Sequence, residues 1–296
     1  MWYIGRGGAH ALFGLTNGWI RRKSMKYIGG ALKYVFKNFI FIFPFALLPS
    51  YFFAAALDLE SLELIVRKLL AADSDVAFIA VFNSFSLING PRWVFGVISF
   101  ACMAVCMPML FAFIERHMRI GARSFKGVVR RINYYFLTTL VMLIIALAIY
   151  ELWALVASGL IYASVILFGG VACLVVAIVI ALGMFALLAY IFTRLWLWLP
   201  CLHITGYHFM DALVFSSQTI GSNKKRLYVA VLLPYLAGMA LILAAVGVCG
   251  MYEIIVPVFV LIELIYILLF LYFCALMYTA YFDAAGEERA DLKKRF

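Results

Sequence analysis

Four ionisable residues stand inside stretches otherwise apolar enough to dissolve in lipid: Glu151, Glu253, Glu263 and Arg194. An ionised group at mid-bilayer costs several kcal/mol unless it is paired, protonated or hydrated, so such residues mark ion or proton paths by default. Glu263 is the deepest by position. It lies about 15 Å beyond Glu253 along a helix that rises 1.5 Å per residue, close to the middle of a hydrocarbon core about 30 Å thick. Its candidate partner is Arg194, about 9 Å from the end of its own span. Alternatively Arg194 snorkels to the interface, where Trp196 and Trp198 would form an aromatic belt. Glu151 and Glu253 are expected nearer the outer ends of their spans, where interfacial water lowers the cost of charge. Tyr266 and Phe259 share the Glu263 face by helical spacing and either line a cavity or pack. Three carboxylates toward one leaflet, Glu263 deepest, would suit a proton or cation path.

A second constellation, Cys201, His203, His208 and Asp211, offers ligand types for zinc or copper. Its Cys-x-His-x-x-x-x-His spacing matches no standard tetrahedral motif, so no metal is expected. Cys102 and Cys106, on one helix face, read as packing residues, and His10 and His117 as solvated. There is no phosphate-binding Gly-Lys-Ser/Thr loop, no dinucleotide glycine fingerprint and no His-Glu-x-x-His helix. ATP hydrolysis, nicotinamide chemistry and zinc-protease chemistry therefore drop out as leading ideas, and no catalytic residue or cofactor is implied.

The elements that must position these residues are membrane helices. The chain is 67% hydrophobic and 13% charged, far outside the range of soluble domains. Six spans are predicted: Asn38 to Leu57, Trp93 to Ile114, Tyr134 to Val156, Val171 to Thr193, Leu227 to Cys249 and Ile254 to Tyr281. The apolar run from Leu160 to Pro200 is long enough to hide a seventh helix turning at Gly169 and Gly170. We read it as one long or interfacially extended helix, because a seventh span would send Lys224, Lys225 and Arg226 to the wrong side. Lys and Arg crowd into every second connection, which by the positive-inside rule makes both termini cytoplasmic. The net charge of +10 is then explained by anionic lipid headgroups, each attracting a nearby basic residue by about 1 kcal/mol, rather than by nucleic acid. The first apolar run begins too late for a signal peptide, so the first span is expected to be a retained anchor. The six cysteines, nearly all inside spans, imply no disulfide framework.

Short amphipathic segments precede three of the spans: Ile28 to Lys33, Phe125 to Arg130 and Met210 to Phe215. In the first, Ile28, Ala31, Leu32, Val35, Phe36 and Phe39 share one helical face. The reading is an internal repeat of a cytoplasmic surface helix followed by a transmembrane hairpin, three times over. The domain plan is a segment 1–37, a six-helix domain 38–282 and a charged cytoplasmic tail 283–296. The external loop 58–92 holds an interfacial helix and then, after Asp73, a polar, turn-rich run. Pro44, Pro49, Pro108, Pro234 and Pro257 can each kink a helix.

The Pro-ended span at Leu199-Pro200, the run Asp211-Ala-Leu-Val-Phe-Ser-Ser217 and the basic turn Asn223-Lys-Lys-Arg226 resemble poorly characterised bacterial six-helix membrane proteins. Among these is the membrane domain attached to some glycerophosphodiester phosphodiesterases. The resemblance implies an architecture and a bacterial cytoplasmic membrane, with no activity to carry over. The leading expectation is a non-enzymatic protein that moves a solute or amphiphile, or an accessory subunit of a transport complex. Its partners would be anionic lipid headgroups, a companion protein or a second copy. The alternatives are a regulatory partner without flux, and an intramembrane lipid-modifying enzyme acting at Cys201 to Asp211.

Overall fold

The computed structural model describes residues 8–57, 68, 77–89, 91–125, 127–168, 170–206, 208–252 and 255–292, with side chains in the first helix described from Lys26 onward. It is all-helical, and no strand occurs among the described residues. The helices are α1 (Gly8–Ala56), α2 (Phe78–Phe85), α3 (Trp93–Ile120), α4 (Val128–Leu167), α5 (Gly170–Leu195), α6 (Trp198–Thr205), α7 (Phe209–Ile220), α8 (Lys224–Tyr252) and α9 (Ile255–Ala285). Six stretches are long and apolar enough to cross a membrane: 26–56, 93–120, 135–167, 172–205, 224–247 and 256–285. In lipid the backbone must satisfy its own hydrogen bonds, so apolar runs of this length close into helices.

The six long helices pack as a ring in the order α1, α3, α4, α5, α8, α9, with α9 returning to α1 and α1 also touching α8. Neighbours run in opposite directions, as contacts at both ends fix. On α1 and α9, Tyr27 donates to Asp283 at one end, while Ala54 packs with Val258 and Ile262 at the other. On α1 and α3, the Ser99 hydroxyl donates to the Pro49 carbonyl at 2.8 Å, and Tyr34 meets His117 at 3.1 Å. The basic segments around Lys26, Arg119, Arg131 and Arg289 thereby gather at one end of the bundle, called the basic end below.

Several expectations change. The Leu160 to Pro200 run is not one helix: α4 continues to Leu167 and the chain re-enters at Gly170 as α5, yet the total stays at six. Ile28 to Lys33 is not a separate surface helix but the middle of α1. Its inward stripe is Tyr27, Ala31, Tyr34, Val35, Asn38, Ile42 and Ala46, while Phe36 is 64% exposed. An upright helix buries a different face from one lying on a membrane. Met210 to Phe215 does lie in a short amphipathic helix, α7, with Ala212, Ser216 and Ile220 inward. Gly121, at φ 73°, ends α3 with its N–H on the His117 carbonyl, a left-handed cap that glycine adopts without steric cost.

Part of the charged tail packs back on the bundle. α9 runs on to Ala285, and the turn Ala290–Leu292 packs on α3 with Arg289 and Asp291 paired at 2.8 Å. The segment after Asp73, read as polar and turn-rich, contains α2. The proposed interfacial helix from Leu59 to Leu70 falls outside the described residues apart from Lys68.

Candidate functional site

Two polar layers interrupt the apolar bundle, one at its basic end and one midway along α4. The basic layer is built on Glu115, a carboxylate only 4% exposed near the end of α3. Arg119, one helical turn on, reaches one oxygen at 3.1 Å, and Arg131 of α4 binds the other. A second guanidinium nitrogen of Arg119 contacts Glu287 beyond α9 at 3.5 Å, so α3, α4 and the tail are tied by charge. Burial disfavours charge on Arg131, but the hydrogen bond and attraction of Glu115 outweigh it and hold the guanidinium protonated even more firmly than usual. The Tyr278 hydroxyl, fully buried and without a hydrogen-bond partner among the described residues, lies within electrostatic reach of Glu115, Arg131 and Tyr135. Beside Arg131 opens a cavity of about 530 Å³ lined by Gly127, Arg130, Arg131, Asn133 and Tyr135.

Behind that wall sits His203. Tyr135 stacks on its ring at 4.2 Å and donates to its carbonyl at 2.6 Å. Thr139 meets its Nε2 at 3.3 Å, and Phe111 closes the edge. His117 is buried as well, against Tyr34 and Phe113, so the expected solvated imidazole is corrected. A position next to arginines in sequence says little about a face turned inward.

The second layer centres on Glu151. Because the third apolar stretch extends from Tyr135 to Leu167, Glu151 stands midway along that helix, about 24 Å from either of its ends. Helix α2 runs down beside α4: Phe78 meets Tyr162, Val81 packs with Ile161 and Val165, and Phe85 meets Trp153. At the tip of this descending segment Glu151 accepts from the Ser86 hydroxyl at 2.7 Å and from the Leu87 N–H at 2.8 Å. Ser86 in turn accepts from the Ile88 and Asn89 N–H groups. Tyr150 donates to the Phe85 carbonyl at 2.8 Å. Gly96 of α3 completes the seat, since a Cβ there would stand 2.2 Å from the Leu87 carbonyl oxygen. The orphan backbone groups of a chain reversal are thus satisfied by side chains, as a non-aqueous setting demands.

Tyr150 of α4, Tyr235 of α8 and Tyr266 of α9 lie within electrostatic reach of one another. All three are half-buried. Tyr235 and Tyr266 make no hydrogen bond among the described residues, and aromatic contacts continue through Phe185, Trp153 and Phe53.

The other sequence candidates disperse. Glu263 is half-buried with little protein around it and makes no ion pair among the described residues. Arg194 is exposed and turns to Tyr190, its guanidinium 5.0 Å from that ring, so the Glu263 to Arg194 pair is not formed. Phe259 packs edge-on against Tyr51. Glu253 falls outside the described residues. Trp196 and Trp198 are buried against Phe273 and Phe209 rather than forming an interfacial belt. Cys201 and His203 are buried while His208 and Asp211 are exposed, and no metal-binding group of His, Cys, Asp or Glu forms among the described residues.

Sequence reasoning missed Glu115, Arg131 and Tyr278. The signal available was a carboxylate closing an apolar run inside the otherwise basic stretch Glu115-Arg-His-Met-Arg119. Compared with protein-family models, curated proteins and solved structures, the chain matches none.

Proposed function

We propose that this is a multi-pass transport protein, not an enzyme, whose path runs through the tyrosine-lined space between the two polar layers. The observation that carries the reading is the descending segment α2, tied by its tip to a carboxylate midway along a membrane-length helix. Broken helices ending at mid-depth recur where transporters hold ions and substrates. Glu151, satisfied by hydrogen bonds but with no basic partner among the described residues, takes the role of proton or cation acceptor. Glu263, sequence reasoning's first choice for it, is peripheral. Release of α2 from Glu151 opens the path on one side, and release of the Glu115 cluster opens it on the other.

In this reading the six spans form three hairpins, and the basic end faces the cytoplasm with both termini, as the positive-inside rule requires. The membrane is the bacterial cytoplasmic membrane, which is what the six-helix resemblance implies. The cargo is a small or amphiphilic solute. A lipid-modifying enzyme gains no support at Cys201 to Asp211, where His203 is sealed and His208 and Asp211 stand apart from it on the surface.

The test uses proteoliposomes with a fluorescent phosphatidylglycerol whose exposure to external dithionite reports movement between leaflets. Parent protein should accelerate exchange, and Glu151→Gln should abolish it with little loss of thermal stability, since the amide oxygen can keep the Leu87 N–H while the amide nitrogen donates to the Ser86 oxygen. Unchanged exchange in Glu151→Gln, or none above empty vesicles in the parent, contradicts the reading. In that case a lipid-binding or protein-binding partner without flux is the better description.

A further inference from the structure

We infer that the cavity beside Arg131 is a binding site for a phosphate oxyanion, supplied by the headgroup of an anionic phospholipid. Its lining brings Arg130, Arg131, Asn133 and Tyr135 together at the basic end of the bundle, the Tyr135 hydroxyl being spent on the His203 carbonyl. Arg131 gives one terminal nitrogen to Glu115 and lies 5.8 Å from the Tyr135 ring, and it makes no other ion pair or hydrogen bond among the described residues, which leaves further donors for a ligand. Arg130 is exposed and makes no ion pair or hydrogen bond among the described residues, and neither does the Asn133 carboxamide. Guanidinium groups present forked, fixed donors that match phosphate oxygens.

The lipid source follows from placement: the opening lies where α4 begins its apolar stretch at Tyr135, the depth at which headgroups meet hydrocarbon. Basic pockets on that side hold phosphorylated headgroups. Glu115 fixes Arg131 at the cavity's edge, and Arg119 shares the burden of its charge.

Binding can be read without flux, so this inference stands or falls separately from transport. The full chain in mild detergent is mixed with dioleoyl-phosphatidylglycerol, with dioleoylglycerol lacking the phosphate, or with inorganic phosphate, and bound molecules are counted by native mass spectrometry. One phosphatidylglycerol should survive delipidation and the phosphate-free lipid should not. Arg130→Gln, at an exposed position, should weaken retention about tenfold, the scale of one charge-assisted hydrogen bond. Asn133→Ala, at an exposed lining position, should weaken it without lowering the melting temperature, because no existing bond is lost. Failure of inorganic phosphate to displace the lipid identifies the headgroup as the ligand, while displacement at low concentration moves the source to a soluble phosphate. Equal retention of the phosphate-free lipid, or parent-like retention in both variants, overturns the inference.

Discussion

Two carboxylates of this bundle, Glu115 buried and Glu151 half-buried, are satisfied in opposite ways. Glu115 is held by guanidinium groups from two helices and belongs to a charge cluster that reaches the surface. Glu151 is held by a hydroxyl and a backbone N–H, with no counter-charge among the described residues. Charge pairing neutralises a carboxylate and leaves spare guanidinium donors beside it, which suits an anion. Hydrogen bonding alone brings no counter-charge, which in the proposed reading suits a proton or cation. The two settings are separated along α4 by about 30 Å from Arg131 to Glu151.

The contrast can be broken most strongly at the basic end. Arg131→Met leaves Glu115 buried with only the half-exposed Arg119, and should cost about 3 kcal/mol, the scale for stranding a buried charge. Thermal unfolding in detergent measures it. Next comes the seat of α2: Gly96→Val drives a Cβ into the Leu87 carbonyl, for about 1–3 kcal/mol of overpacking. Faster proteolysis of the external segment, with the Glu115 cluster unchanged, would show that the two layers are separate units. Ser86→Ala removes one donor to Glu151 and the acceptor for two N–H groups, an effect of about 1 kcal/mol in unfolding. The smallest change is Glu287→Gln, a half-exposed contact worth about 0–1 kcal/mol. It should vanish in high salt, whereas the Ser86→Ala loss should not, and that split in salt dependence sharpens the comparison further.

The helices were legible in the sequence because length and hydropathy alone define a membrane span. All six are present, and the one ambiguous run resolves into the end of one helix and the start of another. The amphipathic readings fared unevenly. Met210 to Phe215 lies in a short helix as its pattern suggests, whereas Ile28 to Lys33 is absorbed into α1, whose inward face tertiary packing decides. Site residues were less legible, for a physical reason. Position along a span was counted from predicted boundaries, and the extension of α4 to Leu167 places Glu151 midway along its helix rather than near the helix end. Whether a carboxylate faces the bundle or its periphery depends on helix rotation, which leaves no mark in a run that is apolar all round. Glu263 and Glu151 therefore look alike in sequence and differ in surroundings.

The most direct test is the accessibility of the space between the layers. In a variant with the native cysteines replaced, Tyr235→Cys is probed in sealed vesicles with a membrane-impermeant thiol reagent applied from either side. Slow labelling from both sides is expected in that background, with faster labelling from the basic side after Glu115→Ala and from the opposite side after Glu151→Ala. Identical labelling in all three backgrounds, or acceleration from the same side by both substitutions, would contradict a path closed separately by the two polar layers.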